Sequence, residues 1–530
     1  MNMGSPNDDL RPRSGEGGGY ARSTDDTQDN TTWEKGRGIT VKNVLDNKCM
    51  TELKKTSNHE SVQREIGKLS QKKRKERSSL EKVRLMQLKL YQKAKQESGY
   101  KFYILYDKVF LPHILEEAYK RCKKNGGSPG IDRQTFTDVE KYGVERFLVG
   151  IAEELRRREY KPQAVRRKMI EKDNGGYRPL GIPTIKDRVV QQACKMVIEP
   201  IFEADFDDLS YKFRPRRSTK GAITEIRDNL KEGKYEVYDA DLSKYFDTIP
   251  HDKLEIVLKE RIADPRVLHL IKLWLKAPIV EEDGRYTGGK SNKKGTPQGG
   301  VISPLLANIY MNILDRIVNK DGGYFSRRGV KMIRYADDFI LMSLHIKQEL
   351  ISKLHTYIQR MELTINTEKS KKVNVKQESF DFLGFTFRNN MSFFDEKKKY
   401  IRIEPKAKSQ KKIRQKINMV LKHIGHYRPE DVVGELNPIM RGWMNYYRID
   451  KVSHTQLAFR KLDSYLRLRL RRYYNRKSQK GSNLRGQQAF DILVREYGLK
   501  RPYVSTGLRP AYVCDEINRK AVCGKTARTV

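Results

Sequence analysis

The chain has 530 residues, enough for two to four domains. Lysine and arginine total 108 against 67 acidic residues, a formal net charge of +41 that ordinary solubility does not require, so the expected partner is a polyanion. No apolar run approaches the ~20 residues of a membrane span and no signal-peptide pattern opens the chain, so membrane attachment is not expected, and a bacterial cytosolic, nucleoid-associated protein is.

Residues 1–60 are rich in Gly, Ser, Asp, Asn and Thr and read as a disordered or peripheral extension. A basic helical stretch follows from Ser61 to about Gln96; Lys72, Lys73 and Arg74 within it are candidate phosphate contacts. From Tyr103 to Glu232 the pattern is helices and turns, with Asn125–Gly130 a clear loop and Gly176–Pro183 (Gly-Tyr-Arg-Pro-Leu-Gly-Ile-Pro) another. The section from Lys234 to about Phe387 is strand-rich. From Lys406 the chain is again helical and basic. There Leu462, Tyr465, Leu466, Leu470, Tyr473 and Tyr474 keep helical spacing while Arg467, Arg469, Arg471 and Arg472 largely take other positions. The five cysteines form no CxxC pair, and all nine histidines fall at or before His454, so a zinc site in the last part of the chain is not expected.

The strand-rich section carries the chemistry. Tyr335-Ala336-Asp337-Asp338 sits between the apolar runs Gly329–Arg334 and Phe339–Met342, which predicts a hairpin with the tetrapeptide at its bend. Adjacent carboxylates raise each other's pKa, and a hard divalent cation relieves that repulsion. A bare Asp-Asp doublet is usually a solvated turn; a third carboxylate upstream changes the balance. In Tyr235–Asp247, a strand of period two puts Tyr235, Val237, Asp239 and Asp241 on one face, where an acid at its end meets the hairpin across a sheet. Three such carboxylates can hold two Mg²⁺ ions about 4 Å apart for nucleotidyl transfer. Asp239 and Asp247 lie close by and spacing does not separate them from Asp241; a strand-edge acid and a helix-start acid are their plainer roles. Between these segments, Gly295-Thr296-Pro297-Gln298-Gly299-Gly300 forms a turn that lets backbone approach a ligand, and Ser303-Pro304 is expected to cap an apolar helix as N-cap and N1.

The order Arg-Pro-Leu-Gly-Ile-Pro, Asp-Leu-x-x-x-Phe, Pro-Gln-Gly, Tyr-Ala-Asp-Asp, then Phe382-Leu383-Gly384-Phe385 resembles a reverse transcriptase of the group II intron type, over about Tyr103 to Arg476. The resemblance implies an α+β right-hand polymerase fold. It would run as a basic N-terminal helix and fingers over 61–233, a palm over 234–395, a helical thumb and maturase domain over 396–476, and a basic segment over 477–530, a possible DNA-binding appendage. It also implies Asp241, Asp337 and Asp338 as catalytic metal ligands and Phe246 as a steric gate selecting dNTPs. Arg178 and Lys172 would contact the triphosphate, with Gln298 against the nucleotide and Lys369 near the site. Phe382, Leu383, Gly384 and Phe385 would be the primer grip. Leu436–Tyr447 resembles the maturase domain of this family, with Arg441 and Asn445, joined by Arg467 and Arg471, toward RNA; Trp443, Tyr446 and Tyr447 fit the core better than base stacking.

Implied partners are the parent group II intron RNA, target DNA with its primer 3′ end, and dNTPs; a monomer and a homodimer are equally compatible. Cys514 and Cys523 lack nearby histidines, so no His-Asn-His endonuclease is expected and priming would use an existing DNA 3′ end, such as a nascent strand. The competing readings are a domesticated reverse transcriptase in phage defence, CRISPR acquisition or DNA repair, and a non-enzymatic RNA-binding splicing factor.

Overall fold

Apolar alternation on the central strands places a sheet between two cores. The structure, a computed structural model, describes residues 78–171, 175–297, 299–391, 399–423, 428–476, 482, 484, 485 and 488–503. The chain divides after Arg64 into two units, and all described residues belong to the second. Among them the strands are β1 (Val165–Glu171), β2 (Tyr177–Ile182), β3 (Glu236–Ala240), β4 (Pro278–Val280), β5 (Tyr286–Gly288), β6 (Lys331–Tyr335), β7 (Asp338–Ser343), β8 (Lys371–Asn374), β9 (Phe380–Phe382), β10 (Phe385–Met391) and β11 (Lys399–Pro405). They form sheets ordered β2-β1-β4-β5, β6-β7-β3-β8 and β11-β10-β9.

In the sheet β6-β7-β3-β8, Tyr238, Met332, Phe339 and Leu341 pack into one hydrophobic core. Their neighbours Val237, Ile333, Ile340 and Met342 pack into the other. This is period-two alternation with both faces covered, which is why the two hairpin runs read as continuously apolar. The first core is built around helix Ile185–Glu203, buried along most of its length, its polar residues Asp187, Arg188, Gln191 and Gln192 included. The second joins the sheet β11-β10-β9 to helices Ala407–His423, Pro429–Tyr447 and Gln456–Tyr474. In the last of these Leu462, Leu466, Leu470, Tyr473 and Tyr474 are buried, as their spacing predicts. The basic stretch begins, within the described residues, as helix Ser79–Gln96 behind a Ser78–Glu81 capping box; Lys72, Lys73 and Arg74 lie outside the described residues.

Two local expectations are corrected. Gly176–Pro183 is not a loop: Tyr177–Ile182 is β2, antiparallel to β1 with Arg178 opposite Ile170 and Pro179 opposite Met169. The proline is tolerated because β2 is an edge strand, where a missing N–H leaves no partner unmet. The same sheet is completed by β4 and β5, from the strand-rich section, with Val165 of β1 paired in parallel to Ile279. Ser303 is not the cap of the apolar helix. The helix runs Ser303–Asn319 with Ile302 at the N-cap position, and the Ser303 hydroxyl donates to the Pro297 carbonyl at 2.9 Å, closing the preceding turn.

Candidate active site

The hairpin β6–β7 turns through Ala336 and Asp337, with Tyr335 paired to Asp338. Ala336 has φ +64 and Asp337 does not share that sign, the pattern of a tight hairpin turn with the left-handed residue first. β3 lies antiparallel to β7 with Ala240 opposite Phe339, so the next step of the register brings Asp241 level with Asp338. The sheet therefore sets Asp241 beside Asp338, with Asp337 next to Asp338 in the turn.

Their electrostatics agree. Desolvation, then the charges of Asp337 and Asp241, push Asp338 up to about 6, while Lys212 opposes the rise. Asp239 is likewise raised to about 6 by desolvation, with Lys371 and Lys406 opposing and Asp241 and Asp381 adding to it. Asp239 pairs in register with Ile340 and Lys371 within the sheet, the strand acid its spacing suggested. Asp241 accepts an ion pair from Lys369 Nζ at 3.1 Å, and its N–H donates to Ser370 Oγ at 3.1 Å. Among the described residues no group of three or more His, Cys, Asp or Glu stands close enough to be a ready metal cage. Lys369 supplies a counter-charge at Asp241. The donor set is nonetheless all carboxylate oxygen, which suits a hard cation such as Mg²⁺.

The hairpin is held from behind by a buried charge that the sequence reading passed over. Arg334 and Asp315, each 1% exposed, form a bidentate pair, with Nε donating to Oδ1 at 2.8 Å and Nη2 to Oδ2 at 2.5 Å. Arg334 Nη1 also donates to Asn308 Oδ1 at 2.9 Å and to the Ala336 carbonyl at 3.0 Å. Burial works against the guanidinium charge, but Asp315 outweighs it and holds the Arg334 pKa above its ordinary value. Asp315 and Asn308 belong to helix Ser303–Asn319, so the turn of Pro297–Gly300 and the acidic hairpin are tied to one helix. A charge inside an apolar run is the signal that could have found this pair. Lys212 is a second omission: its ammonium lies 5.3 Å from the Tyr335 ring centroid and 5.0 Å from that of Phe213, a residue with φ +60.

The nucleotide-side motifs also meet. Thr296 N–H donates to the Phe246 carbonyl at 2.7 Å and Gly295 N–H to the Ile249 carbonyl at 2.8 Å. Gly299, at φ +111, lies so close to β2 that a Cβ there would stand 2.1 Å from the Gly181 carbonyl oxygen; only glycine permits that approach. Phe246, half-buried in the short helix Tyr245–Thr248, meets Tyr245 edge-on at 5.6 Å. Arg178 is exposed on β2. Lys172 and Gln298 lie outside the described residues. In the segment Lys186–Arg188, Asp187 is structural: its carboxylate accepts from the hydroxyls of Tyr160 and Thr184, each at 2.7 Å. Arg188 Nε donates to the Pro183 carbonyl at 2.9 Å.

Phe382-Leu383-Gly384-Phe385 is a two-residue hairpin turn between β9 and β10, with φ +49 at Leu383 and +78 at Gly384. Arg441 and Asn445 are exposed on helix Pro429–Tyr447, and Arg471 is exposed on the following helix. Arg467 is more occupied than expected: it pairs with Asp463 at 3.1 Å and Asp491 at 2.9 Å and lies over Phe490, because its helix packs against Ala489–Arg495. Tyr447 is buried and Trp443 half-buried, as the core reading has it, but Tyr446 is 41% exposed. No helix among the described residues is long and apolar enough to cross a membrane.

Comparison with known proteins adds two matches in the order this geometry suggests. Residues 170–387 match the reverse transcriptase (RNA-dependent DNA polymerase) family, and residues 410–490 match the group II intron maturase-specific domain. The class is thus a reverse transcriptase joined to a maturase domain. Protein YkfC of Escherichia coli is 33% identical over 59% of this chain and 90% of its own length. The uncharacterized 91 kDa protein in cob intron of Schizosaccharomyces pombe is 28% identical, over 66% of this chain and 50% of its own. The group II intron-encoded protein LtrA of Lactococcus lactis is 36% identical over 40% of this chain and 35% of its own length. The chain belongs to the group II intron-encoded reverse transcriptase/maturase family.

Proposed function

We propose that this protein is an RNA-directed DNA polymerase and maturase that binds a structured group II intron RNA, assists its splicing, and copies it into cDNA from a target-DNA primer. The single observation that carries this reading is the register of β3 on β7, which sets Asp241 level with Asp338 beside the Asp337 turn, in a chain that also has the maturase domain. In this reading Asp241, Asp337 and Asp338 would hold two Mg²⁺ ions, which would supply activation of the primer hydroxyl and neutralisation of the triphosphate. Lys369 balances the charge of Asp241 between nucleotides. Phe246, fixed by the Thr296 bond, presents its ring as a wall against a 2′-hydroxyl. Arg178, with Lys172, meets the triphosphate; a guanidinium suits phosphate because it stays charged and bonds it bidentately. Gln298 lies against the incoming nucleotide, and the turn Phe382–Phe385 steadies the primer. Arg441, Asn445 and Arg471 face the RNA, with Lys72, Lys73 and Arg74 adding phosphate contacts.

The right-hand division into fingers, palm and thumb belongs to the same proposal. A non-enzymatic splicing factor fits less well, since such a protein has no use for adjacent carboxylates that raise Asp338 by desolvation and mutual charge. Domesticated use in defence or repair gives no reason for a maturase-specific domain. The test is primer extension on an RNA template with dNTPs and Mg²⁺, run beside splicing of an intron RNA by the same preparation. Extension together with accelerated splicing is expected. Splicing without extension would leave only the splicing-factor reading. RNA binding should weaken with salt by about 0.7–0.9 log units per log unit for each phosphate neutralised.

A further inference from the structure

Lys212 carries a charge that the described residues leave unanswered. Its side chain is half-buried, and its ammonium lies over two aromatic rings, 5.3 Å from the centroid of Tyr335 and 5.0 Å from that of Phe213. Among the described residues no carboxylate stands within ion-pair distance of it and no hydrogen-bond acceptor meets it. Ring faces attract the charge but leave its N–H donors free for an anion.

The turn that presents this ammonium is firmly held. Phe213 stands at φ +60 with its ring 39% exposed. In a non-glycine residue that backbone state costs about 1 kcal/mol or more and persists where neighbours enforce it. Three anchors do so. Tyr211 N–H donates to the Arg334 carbonyl at 3.0 Å, and buried Asn308 Nδ2 donates to the Lys212 carbonyl at 2.8 Å. Arg214 Nη1 donates to the Ser210 carbonyl at 2.7 Å while its Nη2 pairs with Glu203 at 2.9 Å. Asn308 also accepts the bond from Arg334, so the Lys212 backbone is fixed to the same helix that holds the acidic hairpin.

Placement selects the anion. Tyr335 ends β6, the outer strand of its sheet, and pairs with Asp338. Asp241 and Phe246 follow β3, on the far side of β7. An anion at Lys212 is thus set apart from a triphosphate beside Phe246 and meets the hairpin from its opposite edge. We propose that Lys212 is a primer-binding residue whose ammonium, oriented by Tyr335 and Phe213, holds a backbone phosphate of the strand that ends at the acidic hairpin. The inference rests on the polymerase reading above and names one contact of the strand being extended.

Lys212→Met removes the charge and keeps the apolar stem; Lys212→Arg keeps the charge. Single-nucleotide extension is measured at varied primer–template, dNTP and Mg²⁺, with the thermal midpoint as control. The primers carry an ordinary backbone or a neutral methylphosphonate at one of the last three linkages. A wild-type enzyme that does not extend the ordinary primer would defeat the polymerase reading itself. Given wild-type extension, Lys212→Met is expected to raise the KM for primer–template about tenfold, with the KM for dNTP and the thermal midpoint unchanged. Lys212→Arg should stay within about threefold of wild type. At one of the three linkages, neutralisation should cost the wild type about tenfold and Lys212→Met nothing further. An unchanged KM for primer–template, a raised KM for dNTP, or a loss cured by more Mg²⁺ would each overturn the proposal. So would neutral linkages that cost both proteins alike, or a loss that follows the thermal midpoint.

Discussion

Arg334→Met removes the guanidinium that ties the acidic hairpin to helix Ser303–Asn319. With both side chains 1% exposed, the pair belongs to the buried regime, where deleting one partner strands a charge and costs about 3–5 kcal/mol. A surface pair would cost under about 1 kcal/mol. Loss of the bond to the Ala336 carbonyl adds about 1 kcal/mol. Against a total stability of about 5–15 kcal/mol, urea unfolding resolves this easily. The companion variant Arg334→Met/Asp315→Leu removes both charges and fills the space with apolar groups, so stability should return to within about 1–2 kcal/mol of wild type. Primer extension should not return with it, because Asn308 and Ala336 remain untied and the turn carrying Asp337 is free to shift. A single variant costing less than about 1 kcal/mol, or a double variant that extends at the wild-type rate, would refute this reasoning.

Further outcomes follow from the same geometry. Phe246→Ala should raise ribonucleotide incorporation at least about tenfold, read by primer extension with rNTPs; unchanged selectivity would remove Phe246 from the gate role. Because Asp338 holds its proton up to about 6, Mg²⁺ must displace that proton, and affinity measured by calorimetry should rise as pH passes upward through this value. A pH-independent affinity would exclude Asp338 as a ligand. His454 accepts the Ile403 N–H at Nδ1 and is held below its ordinary pKa by burial and then by the charge of Arg402. A depressed base contributes stability above the unfolded value of about 6.5 and loses it as pH falls through the folded one. The stability gap between wild type and His454→Gln should therefore close as pH drops from about 7 to about 5; a constant gap would contradict it.

The parts of the site set by local pattern were legible from residues alone. The hairpin shows as two apolar runs around a polar tetrapeptide, and Asp241 ends a strand whose alternation survives into the fold. What escaped depends on contacts distant in sequence. Nothing local announces that Pro278–Val280 will lie beside Val165. An edge strand containing Pro179 and Gly181 looks like a loop until its partner is known. Arg334 was visible as a charge in an apolar run, but its partners lie in a helix whose apolar face dominated the reading. Tyr446 shares helical spacing with two core aromatics, and spacing cannot tell which of the three will reach outward to another turn.

The most direct measurement is Asp337→Asn, followed in two assays on one preparation. The substitution keeps the turn's shape and removes one carboxylate from the acidic site. The account predicts that primer extension on an RNA template falls on the order of 10²-fold or more, while RNA affinity and its salt dependence stay at wild-type values. Extension at the wild-type rate would contradict it.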